Sequence, residues 1–170
     1  MNEFRKLWHN LTLAGAKRVR DHAILRSVEL GISVSVVVVD RTGVILLMET
    51  DDNAAPGAPD ASLRKARGAA HYGIATHSTA EYIKTLPAQL AQHALSLPNV
   101  CAFHGGAPIR FEGEILGGVG ISGGSGEQDI AIALASAQSL QGSSITCGLQ
   151  PVKDTENPQS HWRTFGAGPL

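Results

Sequence analysis

The hydrophobic pattern changes period several times along the chain, and each change marks an element. Between Leu13 and about Leu30, the residues Ala16, Val19, Ala23, Ser27 and Leu30 recur at three- and four-residue spacing. That spacing predicts an amphipathic helix, with Thr12 placed as its N-cap and Gly31 as its stop. The stretch Ile32–Val39, ISVSVVVV, replaces this period with a β-branched run and predicts a buried strand. Asp40–Gly43 reads as a turn, and Val44–Thr50 returns as a second strand. Asp51–Pro59 is a loop of turn-forming residues.

A second helix is predicted from Ala61 to about Tyr72, with Asp60 as its N-cap. Ser78-x-x-Glu81 reads as a capping box opening a short helix that ends near Pro87, and Ala88–Leu95 adds one or two helical turns. The pattern then becomes glycine-rich. Pro108–Phe111 and Ile115–Ser122 are strands joined by the two-residue turn Glu112-Gly113. Gly117, Gly118 and Gly120 are costly inside a strand, so they mark a bulge or a close approach by a ligand or another backbone. Ser125 and Gln128 fit a capping box for a last helix, on which Ile130, Leu134 and Ala137 recur with Ala133 and Leu140 alongside. The order helix, hairpin, helices, hairpin, helix predicts an α+β fold: one antiparallel sheet of two β-hairpins covered by helices.

Composition narrows the function classes. The chain has 170 residues, 14 of them basic and 15 acidic, with no basic stripe for nucleic acid and no polybasic segment for a membrane surface. Its apolar runs are too short to span a bilayer and Met1–Asn10 lacks the apolar stretch of a leader, so a cytoplasmic protein is expected. Cys101 and Cys147 have no metal-type spacing; they are either a disulfide pair or, as the simpler reading, free thiols. Beyond Gln141 the chain turns to Pro, Gly and polar residues. This predicts a domain over 1–146 and an extended arm over 147–170, ordered against a partner subunit.

Few residues suggest chemistry. No phosphate-loop signature and no Gly-x-Ser-x-Gly elbow is present. Glu127 and Asp129 suit the positive end of the last helix and would compete there with a phosphate. His104 precedes Gly105-Gly106, where the backbone admits a close ligand. It is either a metal ligand or proton relay, or a surface histidine of a loop. His71 and His77 lack a regular metal spacing. Lys65 sits on a helix of small residues, as a cation for a carboxylate, a base, or half of an ion pair. Arg64 and Arg67 point elsewhere, toward a solvated or intersubunit face.

Four segments, Val38–Gly43 (VVDRTG), Asp60–Ala66 (DASLRKA), Gly105–Ile109 (GGAPI) and Gly113–Asp129 (GEILGGVGISGGSGEQD), occur in this order. Together they resemble the GlcG/HbpS-like haem-binding family, which includes the C-terminal domain of PduO-type corrinoid proteins. The resemblance runs from about Leu11 to Leu140. It implies a profilin-like sandwich, assembly as a homo-oligomer, and haem binding or sensing in a catabolic context. His104, where members have a small residue, and the long tail depart from the pattern. The resemblance also makes Glu127 the natural partner of Lys65. Two readings follow. In one, the chain is a small-molecule-binding protein for haem or another anionic ligand, with His104 as candidate iron ligand and Lys65, Gly105, Gly106 and Glu127 around the ligand. In the other it is a cofactor-independent lyase, hydratase, hydrolase or tautomerase acting on an aromatic or short carboxylic substrate. Lys65, His104 and Glu127 are then the clamp and acid/base groups. Both readings place these three side chains in one pocket.

Overall fold

The run of valines decides what lies at the centre. In the computed structural model, which describes residues 8–141, they form β1 (Ser35–Asp40), and all six of its residues are buried. β1 pairs with β2 (Ile45–Thr50) as one hairpin, while β3 (Gly106–Phe111) and β4 (Glu114–Ser122) make the other. The hairpins join through β1 and β4 into one antiparallel sheet, in the order β2-β1-β4-β3. The Glu112-Gly113 turn is as expected: both residues have positive φ, 49° and 83°, which matches the twist of a two-residue hairpin.

The two faces of the sheet are covered differently. On one lie α1 (Leu13–Glu29) and α5 (Gly126–Gln138). Val19 and Ala23 of the first and Ile132 and Ala133 of the second pack on Val36, Val38, Ile109, Val119 and Ile121. On the other lies α2 (Ala58–Tyr72), whose Ala66 and Ala70 meet Val37 and Val39. The close approach signalled by the glycines of β4 is that of α2's backbone. A Cβ on Gly120 would land on the Ser62 carbonyl, and one on Gly118 would stand 2.9 Å from the Ala70 nitrogen. Two shorter helices follow, α3 (Thr76–Lys84) and α4 (Ala88–Ser96), and none of α4's nine residues is buried. No helix among the described residues is long and apolar enough to cross a membrane. The expected arm over 147–170, with Cys147, lies outside the described residues.

Thr12 caps α1 and Ser125 with Gln128 forms the capping box of α5, as their sequence positions suggest. Two helix starts and one buried face are corrected. α2 begins at Ala58, because Pro59 is tolerated in a first helical turn, and Asp60 lies inside that turn instead of capping it. α3 begins at Thr76, so Ser78 is helical and caps nothing; the Thr76 hydroxyl accepts a bond from the Gly106 N–H at 2.9 Å. The buried line of α5 is Asp129, Ile132, Ala133, Ser136 and Ala137, and Leu134 faces outward.

Asp40 closes the first hairpin. One carboxylate oxygen accepts from the Thr42 N–H and hydroxyl at 2.8 Å and from the Val44 N–H at 3.0 Å; the other accepts from Asn10 at 2.8 Å. Burial pushes this carboxyl's pKa up, but the bonds from Thr42, Asn10 and Val44 outweigh it and hold the group below its ordinary value.

Two outcomes follow for stability. Gly120→Ala should cost about 2 kcal/mol or more by forcing α2 off the sheet, whereas Gly57→Ala, with open space around it, should barely move the thermal midpoint. The folded Asp40 carboxyl is more acidic than the unfolded one. Its contribution is therefore complete above the unfolded value, about 3.9, and is lost as pH falls through the folded value. Urea midpoints between neutral and acid pH should show a shallower acid loss for Asp40→Asn than for the parent chain.

Candidate functional site

α2 presents different chemistry on its two sides. Toward the sheet, Lys65 is 4% exposed and reaches the corner where β4 runs into α5. Its ammonium donates to the Ile121 carbonyl at 2.6 Å and to Asp129 Oδ2 at 2.8 Å, while Asp129 Oδ1 accepts from the Gly124 N–H at 3.0 Å. The carboxylate facing Lys65 is thus Asp129, and Glu127, the expected partner, is exposed. Helical geometry gives the reason. Asp129 shares a stripe with Ile132, Ala133 and Ser136, which face the core, whereas Glu127 lies two residues away on another side.

Gly105 lies over this pair. Its φ is 104°, and a Cβ there would stand 2.6 Å from the Asp129 Cβ and 3.3 Å from the Lys65 ammonium. Gly106 is closed in likewise by the Lys65 carbonyl and Thr76. The groups that come close to this glycine pair are the protein's own. His104 is half-buried, with Nδ1 2.7 Å from where a Cβ on Gly126 would stand. Lys84 holds the Glu81 carboxyl below its ordinary value, and His104 and His77 add smaller pulls. The structure therefore gathers the segments of Lys65, His104 and Glu127 at one corner, but as a packed knot.

An open cleft lies on the opposite side of α2. Asp60, Leu63, Arg64 and Arg67 form one wall; Leu95, Asn99, Val100 and Phe103, from the end of α4 and the linker to β3, form the other. Its volume is about 890 Å³. An adjoining hollow of about 600 Å³ shares Arg67 and Asn99 and adds Thr42, Gly43, Val44, Ile45 and His71. Lys65, His104 and Glu127 line neither space.

The linker wall is anchored to α2 at Gly68, where a Cβ would meet the Cys101 Cβ at 2.8 Å and the Asn99 carbonyl at 3.0 Å. Asn99 itself sits at a left-handed φ of 61°. The Tyr72 hydroxyl donates to the Pro98 carbonyl at 2.8 Å, and the Arg67 Nε donates to the Gly43 carbonyl at 3.0 Å. Burial raises the Cys101 thiol pKa, which suits its packing role. The cleft thus offers the guanidinium groups of Arg64 and Arg67 beside Asp60 along one edge and, opposite, Leu95, Val100 and Phe103 beside Asn99, with Phe103 68% exposed. Chemically it suits a flat apolar body that carries an anionic group.

From the sequence, Arg64 and Arg67 are expected on a solvated or intersubunit face; the structure puts them along the cleft. The available signal was the spacing of Asp60, Arg64, Arg67 and His71, which follows one helical stripe. The opposing wall comes from a linker with no periodicity, so nothing local announced it.

Comparison with known proteins agrees with this fold. A family model described as "Haem degrading protein HbpS-like" matches residues 11–138. An uncharacterized 15.0 kDa protein of Citrobacter freundii, from the dhaT-dhaS intergenic region, is 32% identical over 72% of this chain and 87% of its own length. The crystal structure of Klebsiella pneumoniae protein ORFY superposes with a TM-score of 0.75 at 28% identity, covering 84% of this chain and 98% of that one. A PduOC:Heme complex superposes with a TM-score of 0.69 at 28% identity, covering 78% of this chain and 96% of that one.

The inner knot can be tested without any ligand. Lys65→Met should strand the Asp129 carboxylate in the core and cost about 3–5 kcal/mol. Adding Asp129→Asn, which keeps an acceptor for Gly124, should recover much of that loss. A urea double-mutant cycle checks the coupling.

Proposed function

The chain belongs to the HbpS-like family, and from that premise we propose that it binds haem or a similar flat, carboxylate-bearing ligand in the cleft outside α2. The observation that carries the reading is the pairing of Arg64 and Arg67 with the apolar wall of Leu95, Val100 and Phe103. The superposition on a haem complex supports it.

The residues present fit such a group. Guanidinium forks match propionate carboxylates in charge and shape, and an aromatic ring with aliphatic neighbours suits a macrocycle face. When held, haem supplies iron for ligand binding or redox chemistry. The chain's own part is to orient the anionic edge on Arg64 and Arg67 and to cover one apolar face.

Lys65 enters as a positioning residue. Its ion pair fixes α2 against the Gly105-Gly106 corner, and His104 links that corner directly to Phe103 in the cleft wall. Glu127, at the start of the helix that carries Asp129, belongs to the same supporting corner. A homo-oligomer is part of the proposal. Leu95 and Phe103, which line the cleft, and Leu90 and Leu97 of the same segment are each half exposed or more, and a second copy covering them would remove that surface from water. Light scattering should find an oligomer; a monomer at micromolar concentration would remove this part of the reading.

Titration of the full chain with ferric haem, followed in the Soret band, tests the site. Arg64→Ala and Arg67→Ala should each weaken binding by about 1.5–3 kcal/mol, the scale of a charge-assisted bond, or roughly 10- to 100-fold. Lys17→Ala, an exposed cation on α1, should leave affinity unchanged. Equal affinity across all of these variants would remove the cleft as the site.

A further inference from the structure

We infer that His71, in the hollow adjoining this cleft, is the metal-ligating side chain for a ligand that spans both, an inference that rests on the haem-type reading above. Three observations carry it. First, His71 continues the stripe of Arg64 and Arg67 along α2 and lines the hollow that shares Arg67 and Asn99 with the main cleft. Seven residues of helix separate Arg64 from His71, about 10 Å along the axis. That is of the order of the reach from a porphyrin's metal to its propionate carboxylates.

Second, the imidazole is already oriented. Its Nε2 lies 3.0 Å from the Thr42 carbonyl oxygen, which only accepts, so Nε2 carries the hydrogen. The same ring edge packs over Gly43, where a Cβ would stand 2.9 Å from Nε2. In the neutral ring the coordinating lone pair therefore belongs to Nδ1. A carbonyl that receives one ring N–H while the other nitrogen binds metal is the arrangement that fixes tautomer and ring plane in histidine metal sites. Nδ1 would offer its lone pair to a metal while Nε2 kept its proton on the Thr42 carbonyl, so binding would release no proton.

Third, among the described residues no three His, Cys, Asp or Glu side chains gather closely enough to hold a bare ion. A single imidazole suits a metal that arrives within its own macrocycle. His104 lines neither the cleft nor the adjoining hollow and packs instead against Gly126.

The test uses the full chain titrated with ferric haem and read by absorption and electron paramagnetic resonance at saturation. The wild type should show a nitrogen-ligated spectrum. His71→Ala should shift the Soret maximum and loosen binding at least several-fold, and added imidazole should restore the wild-type spectrum. His71→Gln, which can still donate to Thr42, should show the same spectral loss with unchanged melting, separating ligation from folding. His22→Ala, on exposed α1 surface, should change nothing. Arg64→Ala should lower affinity while leaving the saturated spectrum intact. A wild-type spectrum in both His71 variants, or a spectral change that follows His104→Ala instead, would overturn the inference while leaving the cleft reading to stand on Arg64. Failure of the wild type to take up haem would overturn both.

Discussion

One buried cation holds the architecture together. The Lys65 ammonium joins three elements that are far apart in sequence: α2, which carries it, the end of β4 through Ile121, and α5 through Asp129. Each partner is about 5% exposed or less, so neither charge is compensated by water. Such a pair adds little net stability over an apolar substitute, but it fixes geometry, because displacing either end strands a charge. Its consequence is visible in α5, whose buried face runs from Asp129 through Ile132 and Ala133 to Ser136 and Ala137. The ion pair and the core residues Ile132, Ala133 and Ala137 share that face, so both hold the helix in one rotation.

The glycines complete this constraint. Gly118 and Gly120 let α2 lie directly on β4, and Gly105 leaves room for Lys65 and Asp129 beneath the entry to β3. With the inner face of α2 held so closely, its outer face is equally fixed. Arg64, Arg67 and His71 are then presented on a rigid helix, and the linker wall is seated against Gly68 through Asn99 and Cys101. The cleft is therefore built from a firm wall on α2 and a wall hung from α4, a helix with no buried residue of its own.

Much of the fold was legible because its signals are local. The valine run of β1, the Glu112-Gly113 turn and the capping box at Ser125 each act within a few residues, and each stands where the sequence places it. The glycines of β4 announced a close approach, and only the tertiary structure reveals that the visitor is α2. The site was less legible. Lys65 stands out in the sequence, but the partner expected for it there is Glu127, and the phase of α5 gives it Asp129, two residues on. The apolar spacing suggested Ile130 and Leu134 as the inner face, whereas a polar residue, Asp129, anchors that face. Arg64 and Arg67 looked like ordinary surface charge because the wall opposite them comes from a distant, irregular stretch.

The central claim is that the chain takes its ligand on the outer face of α2 while the inner face serves as a structural lock. Amide hydrogen exchange of the full chain with and without ferric haem tests this most directly. Ligand should slow exchange in the turns of α2 around Arg64 to His71 and in the linker from Leu95 to Phe103, and leave α1 unchanged. Protection confined to the Gly105-Gly106 corner and the start of α5, with the outer face of α2 unaffected, would contradict it.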